Sequence, residues 1–191
     1  MKNNNDIIII EKTKAGDISA FRILVDKYKD VSFSLACSIL KDEHESEDAL
    51  QEAFLRAFRN VGKFNYKSSF STWLYRIVVN TCLTIEKKHG INKLNEPNFN
   101  LSNNEAIDEI TGFDKLSVSN RREIIDAALT RMKSDEALLL RLYYLSELNV
   151  AEIKEITGFR ESSIRVTLHR ARKSLHDQLK KLLGEEIKLL L

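Results

Sequence analysis

The chain has 191 residues, 43% of them apolar and 30% charged, and its 30 Lys and Arg nearly balance 28 Asp and Glu to leave a formal charge of +2. That length builds one domain or two small ones, and that apolar fraction excludes wholesale disorder. With one proline and six glycines the composition favours helices over a turn-rich sheet.

Cys37 and Cys82 both fall in apolar helical patterns and read as reduced core residues of a cytoplasmic protein rather than as a disulfide. Ile7 to Ile10 is too short to span a membrane or to form a signal core, and Leu189-Leu190-Leu191 is shorter still. The chain contains neither an internal repeat nor a nucleotide-binding glycine loop.

In chain order, the first helix is predicted from Asp17, a good N-cap, with Phe21, Leu24, Val25, Tyr28, Leu35 and Ile39 at helical spacing and room for a bend near Asp30 and Val31. A second helix begins at Glu43 or Glu45 and turns Ala49, Ala53, Phe54, Ala57 and Phe58 inward. A third starts at Ser69 or Ser71 with Trp73, Leu74, Ile77, Val78 and Thr81 on its inner side. Between the last two lies a polar loop, Asn60 to Phe70, carrying two lysines and three aromatics. Aromatics beside cations are what a protein uses to stack and hold unpaired bases. The structural alternative is that Phe64 and Phe70 anchor the loop in the core, which leaves Tyr66 as the candidate for exposure.

His89 to Asn120 differs in kind. It holds Gly90, the only proline and many asparagines, which favour turns over helix interiors, and it reads as a flexible linker with a short helical turn at Asn104 to Ile110. Two helices follow. Val118 to Met132 presents Ile124, Ile125, Ala128 and Leu129. The next is capped by Ser134 and buries Leu138, Leu139, Leu142 and Tyr143.

Asn149-Val150-Ala151-Glu152 then forms a capping box, Ile153 and Ile156 share one face, Gly158 ends the helix in a left-handed conformation, and Phe159 can plug the corner. The long helix beyond, about Glu161 to Leu179, buries Ile164, Leu168, Ala171, Leu175 and Leu179. Arg165, Arg170, Arg172, Lys173, Lys180 and Lys181 lie off that stripe. This is how a helix-turn-helix DNA reader looks in sequence. Seven Lys and Arg stand against two Asp and Glu between Arg160 and Lys181, so a nearly neutral chain concentrates its positive charge at this motif. The fold class is therefore all-α: two small helical domains joined by a flexible linker, the second a four-helix domain with a helix-turn-helix. The boundaries are 1–88, 89–120 and 121–191.

Glu45, Asp48 and Glu52 fall on one helix face, either a solvated acidic surface or a docking face for a basic partner. Arg76 and Asn80, four apart, share another face and could meet a phosphate and a base edge, though a solvated face or surface ion pair explains Arg76 alone. Glu86-Lys87-Lys88-His89 is the only Glu-x-x-His spacing, and His169 and His176 need a third ligand to hold an ion. No metal, cofactor or small-molecule substrate is expected, and no paired catalytic groups support an enzyme.

Both halves, in this order, resemble one family. Gly16-Asp17, Ala20-Phe21, Leu24, Tyr28, the run Glu47 to Phe54, Phe64, Ser69 to Ile77 and Asn80 carry the first part of the likeness. Leu142-Tyr143-Tyr144, Glu152-Ile153, Gly158, Leu168 to Arg172 and Leu175 carry the second. The chain resembles the extracytoplasmic-function (ECF) group of sigma-70 factors of bacterial RNA polymerase.

The resemblance implies a sigma factor that binds core RNA polymerase and directs promoter recognition and transcription initiation. Region 2 would open and read the minus-ten element of promoter DNA, and region 4 would read the minus-thirty-five element. It implies that Glu47, Asp48, Gln51 and Glu52 face polymerase. Lys63, Phe64, Asn65, Tyr66, Lys67, Arg76 and Asn80 would form the minus-ten group, and Ser162, Ser163, Arg165, Val166, Arg170 and Lys173 the minus-thirty-five surface. The family commonly has a membrane-bound anti-sigma factor as a further partner. Against the family's usual pattern, Lys133 and Ala137 replace proline and arginine, and Arg160 replaces a serine. Ser162-Ser163 replaces glycine-threonine, Thr167 a basic residue, and Thr84 an aspartate. The alternative is a two-domain regulator or interaction module that does not engage polymerase.

Overall fold

The computed structural model describes residues 4–94 and 118–183, and every element among them is helical. The predicted turn at Asn104 to Ile110, most of the linker and Leu189 to Leu191 lie outside the described residues. The elements are α1 (Asn4–Lys14), α2 (Ile18–Leu40), α3 (Glu43–Asn60), α4 (Phe70–Leu94), α5 (Val118–Thr130), α6 (Ser134–Leu140), α7 (Val150–Thr157) and α8 (Glu161–Leu183), with a tight turn at Val61–Lys63. A wider helical turn, Arg141–Leu145, prolongs α6.

Local chemistry fixes most boundaries. Asp17 accepts the amide of Ala20 at 3.1 Å to start α2, which runs unbroken past the expected bend, and Lys41 ends it in the left-handed region at φ 58°. Asp42 accepts the amide of Glu45 at 2.9 Å and starts α3. Ser69 Oγ accepts the amide of Thr72 at 3.1 Å at the head of α4. Ser134, expected as a cap, is instead the first residue of α6 and Lys133 holds the cap position with no side-chain bond.

In the first half, α2, α3 and α4 pack mutually. The buried face of α3 is Ser46, Ala49, Ala53 and Ala57, and such small side chains let its neighbours approach closely. The larger groups come from α2 and α4: Leu24, Leu35, Leu74 and Val78 are fully buried. Each such side chain contributes roughly 1.5–3 kcal/mol over an exposed one. Phe58 sits at the edge, its ring 5.0 Å from that of Phe21 but partly in solvent.

α1 lies against α2. It buries Ile10 and seats the carboxylate of Asp6, which accepts from Tyr28 Oη and Lys27 Nζ, each at 2.5 Å. A buried carboxylate is tolerable because both its oxygens are bonded.

α4 is buried on more than its predicted inner side: Tyr75, Val79 and Cys82 are enclosed as well, because α7 packs against α4. The two halves thus share one continuous apolar core, from Leu24 and Leu74 to Ile153 and Leu168. In the second half, α5 and α6 close on α8. Ile125, expected inward, is exposed, and Tyr143 is only half-buried. α4 continues helical to Leu94, six residues past the expected domain end at residue 88.

Candidate nucleic-acid and polymerase interfaces

The helix-turn-helix is α7 and α8. Asn149 Oδ1 accepts the amides of Ala151 at 2.9 Å and Glu152 at 3.1 Å, and Glu152 Oε2 accepts the amide of Asn149 at 3.0 Å. That satisfies three amides which a bare helix start would leave open. Gly158 closes α7 at φ 74°. Phe159 does not plug the corner; it is 40% exposed, and Ile153, Ile156 and Ile164 fill the space between the helices.

Along α8, the buried positions are Ile164, Thr167, Leu168, Ala171 and Leu183. Leu175 and Leu179 are half-buried where the stripe reaches the rim. Ser162, Ser163, Arg165, Val166, Arg170 and Lys173 all stand in solvent. Thr167, at the position where the family carries a basic residue, is buried, and its hydroxyl accepts from Arg170 Nη2 at 3.3 Å. Arg172 is held back from the open face. Its Nε donates to Tyr144 Oη at 2.7 Å, and its guanidinium lies 5.9 Å from the ring of Tyr143.

The loop between α3 and α4 is anchored by Phe64, only 4% exposed. Its ring lies 5.7 Å from that of Phe70 and 5.4 Å from that of Trp73. Phe64 was expected among the minus-ten group. In this structure the ring is enclosed by Tyr66, Phe70 and Trp73, which fits the alternative that Phe64 anchors the loop.

Lys63, Asn65 and Lys67 are exposed, and Asn65 Oδ1 accepts the amide of Lys67 at 3.2 Å in a side-chain-closed turn. Tyr66, the candidate for exposure, is half-buried at φ 61°, its hydroxyl bonded to Glu11 and Lys14 and its ring 4.8 Å from that of Phe64. Burial and the Glu11 carboxylate push the Tyr66 phenol above its usual range.

Two turns into α4, Arg76 and Asn80 share one face as expected, and Asn80 is exposed. Arg76 Nη1 pairs with Glu155 Oε1 of α7 at 3.1 Å, a bond between the halves that the sequence pattern did not signal. Lys41 and Arg141 make two more. Lys41 Nζ donates to the carbonyls of Thr130 at 3.0 Å and Met132 at 2.9 Å, and burial lowers its pKa. Arg141, 4% exposed, donates to Asp126 at 2.8 Å and to Ser34 Oγ on α2.

On α3, Glu47, Asp48 and Gln51 are exposed, and Glu52 is partly covered by Arg56, whose Nε donates to it at 2.6 Å. That guanidinium holds the Glu52 carboxyl below its usual range. The sequence reading missed Leu55, 50% exposed and one turn beyond Gln51 on the same face. Its signal was present, since Asp48, Gln51 and Leu55 sit at i, i+3 and i+7. An acidic face with an apolar residue at its end can steer a basic partner and then bury area against it.

No group of three or more metal-ligating side chains gathers among the described residues, and no described helix is long and apolar enough to cross a membrane.

An exposed basic recognition helix and a loop rich in lysine and aromatic residues define a two-part, all-helical DNA-binding protein. The family described as Sigma-70 region 2 matches residues 24–89, and that described as Sigma-70, region 4 matches residues 122–175. The ECF RNA polymerase sigma factor SigW of Bacillus subtilis is 32% identical over 91% of this chain and 96% of its own length. The ECF RNA polymerase sigma-E factor of Escherichia coli K12 is 28% identical over 93% of this chain and 96% of its own.

Among solved structures, CnrH in complex with the cytosolic domain of CnrY has a TM-score of 0.63 at 17% identity, covering 93% of this chain and 99% of that one. The sigma factor RpoE of Bartonella quintana, in complex with the anti-sigma factor NepR, reaches a TM-score of 0.67 at 19% identity over 85% and 98%. At those identities they share the fold. The chain belongs to the ECF sigma factors of the sigma-70 family. It binds core RNA polymerase and promoter DNA through its region 2 and region 4, and it is not an enzyme: the chemistry of RNA synthesis is the polymerase's.

Proposed function

We propose how the named surfaces divide this work. Glu47, Asp48, Gln51 and Glu52, with Leu55, dock on core polymerase. Lys63, Asn65, Tyr66, Lys67, Arg76 and Asn80 receive the minus-ten element, with Phe64 as the anchor of their loop. Ser162, Ser163, Arg165, Val166, Arg170 and Lys173 meet the minus-thirty-five element.

The observation that carries the reading is segregation. On α3 the exposed Glu47 and Asp48 stand together with Gln51, while Lys63, Asn65 and Lys67 are exposed on the loop, Asn80 on α4, and Arg165, Arg170 and Lys173 on α8. Phosphate attracts the latter and a basic docking site the former. Near the start of α8, Arg165 is placed as a reader of base edges, which helix-turn-helix proteins reach from the first turns. Arg170, further along, holds phosphate.

Region 2 captures bases that have left the stack. Stacking supplies about 1–3 kcal/mol per base, comparable to the few kcal/mol that extrusion costs, so a single aromatic holds an opened strand and polymerase shares the work of opening it. The molecule works in the cytoplasm, where promoter DNA is. Because the structurally similar sigma factor RpoE was solved with the anti-sigma factor NepR, and CnrH with the cytosolic domain of CnrY, we assign this chain an anti-sigma partner.

Reversing charge at two acidic positions tests the docking face. The double variant Asp48→Lys, Glu52→Lys should bind core polymerase at least tenfold more weakly and lose run-off transcription, with its helical circular-dichroism spectrum unchanged. Each interfacial charge reversal costs on the order of 1–2 kcal/mol when a complementary charge opposes it. Wild-type affinity for core polymerase in that variant rejects the assignment.

A further inference from the structure

α1 precedes the residues that match either sigma-70 region, which begin at residue 24. Its last turn nevertheless reaches the loop proposed to receive the minus-ten element. Lys14 Nζ donates to two oxygens there, the carbonyl of Phe64 at 3.1 Å and Tyr66 Oη at 3.0 Å, and to Glu11 Oε1 of its own helix at 3.3 Å. An ammonium has three protons to donate. All three are used, so Lys14 has none left for phosphate, unlike the exposed Lys63 and Lys67 beside it. Tyr66 Oη closes the ring of contacts by donating to Glu11, and the Lys14 nitrogen lies 4.2 Å from the centroid of the Tyr66 ring.

The clasp holds a conformation that the loop would not keep alone. Tyr66 sits at φ 61°, in the left-handed region where a side chain with a Cβ is strained. Packing supplies only part of the restraint, through the edge contact of the Tyr66 ring with that of Phe64. A cavity of about 220 Å³ remains between α1 and the loop, lined by Ile7, Ile10, Tyr28, Tyr66 and Ser69 among others. Apolar filling encloses Phe64 fully, whereas Tyr66 is half-buried and held by polar contacts as well as by its ring. The Tyr66 hydroxyl raises the pKa of Lys14 and lowers that of Glu11, so both partners keep their charges at neutral pH.

We infer that Lys14 is a positioning residue for promoter reading: from α1, ahead of the residues that match region 2, it sets the conformation in which the Asn65–Lys67 segment meets the single-stranded minus-ten element. The inference rests on the proposed DNA role of that loop. A loop held in one conformation binds without first being selected from many; when the competent fraction falls, apparent affinity falls by the same factor. Without the clasp, Tyr66 relaxes to negative φ and the turn closed by Asn65 reorients.

The test uses the full chain assembled with core polymerase and a fluorescent single-stranded oligonucleotide. The oligonucleotide carries the nontemplate minus-ten strand of a promoter that this holoenzyme transcribes, and a second probe carries one altered base. Lys14→Ala should weaken binding of the first probe by roughly tenfold, as expected if the competent fraction drops to about a tenth. It should also narrow the ratio between the two probes, while core affinity and region 4 binding to minus-thirty-five duplex stay as in wild type. Lys14→Arg, which keeps a cation and several donors, should recover most of the loss.

Asn80→Ala is the control for the underlying reading. If Asn80→Ala loses binding and Lys14→Ala does not, the inference is overturned and the reading of the surface stands; if neither loses binding, both fall. Tighter binding by Lys14→Ala also overturns it, since the clasp would then hold the loop away from DNA. Should Lys14→Ala lower the unfolding midpoint, Tyr66→Phe decides. It deletes only the shared hydroxyl, keeps the stacking ring and is expected to weaken binding in the same direction; wild-type binding and discrimination in that variant overturn the inference.

Discussion

At the residue scale, burial decides what each group can do. Cys82 is fully enclosed between α4 and its neighbours, and burial raises its thiol from 9.0 to about 12. Tyr75, also on α4, is raised by burial from 10.0 to about 12. In both cases the folded protein keeps a proton that the unfolded chain gives up earlier. The stability owed to neutral Cys82 is therefore complete below about pH 9 and is lost as pH climbs toward about 12. Across that window one such group lowers stability by about 1.4 kcal/mol per pH unit.

Urea unfolding of wild type and Cys82→Ala at pH 8 and pH 10.5 checks this. The variant should start less stable, through its cavity, but should lose less between the two pH values. Parallel losses would show that Cys82 does not titrate as its burial requires. The sequence already read both cysteines as reduced core groups, because apolar periodicity predicts enclosure. It could not show that Phe64 is buried while Tyr66 is pinned, since both lie in an aperiodic loop where spacing carries no facing information.

At the scale of elements, caps and turns were the most legible features because they act within four residues. The Asn149–Glu152 box and Gly158 bracket α7 as the pattern implied. α7 has eight residues, too few to persist without its ends and its packing. Asn149→Ala removes the acceptor for two amides and should cost about 1 kcal/mol, with Asn149→Asp close to wild type.

Gly158→Ala meets no steric obstacle, since nothing lies within 4 Å of the added methyl, so its cost is that of φ 74° alone, again about 1 kcal/mol. Gly158→Asn should cost less, because asparagine tolerates that conformation. Thermal unfolding of the four variants separates the two ends, and equal costs for Gly158→Ala and Gly158→Asn would reject the conformational account. Elements defined by partners were harder to read. α1 escaped notice because its four isoleucines lack a clean amphipathic pattern, and Asp6 makes sense only once Tyr28 and Lys27 face it. The second buried side of α4 was hidden for the same reason: α7, more than fifty residues on, covers it.

At the scale of the whole molecule, the two helical regions that the sequence read on either side of a linker also pack on one another, through one core and through Arg76, Lys41 and Arg141. A compact chain of this length has a radius of gyration of about 16 Å, or about 40 Å across. The minus-ten and minus-thirty-five elements lie about 25 base pairs apart, about 85 Å of duplex at about 3.4 Å per pair. The closed arrangement is smaller than that span, so the halves are expected to part on a promoter. If Arg76 meets DNA as proposed, closure and DNA compete for it, since its guanidinium is paired with Glu155 in the closed form.

The pair is half-exposed, so it contributes at most about 1 kcal/mol, a factor of about five in the closed-to-open ratio. Glu155→Gln should accordingly increase the open fraction up to about fivefold at low salt, and the gain should shrink as salt screens the wild-type pair. Arg76→Ala should open the molecule equally but bind minus-ten DNA more weakly. Fluorescence energy transfer between labels on α3 and α8, followed by oligonucleotide binding in the same preparations, reads both effects. If Glu155→Gln moves neither distance nor affinity at low salt, closure is governed by the enclosed Arg141, the Lys41 bonds to the end of α5 and the apolar contact of α4 with α7, and Arg76 is free to serve DNA without first being released.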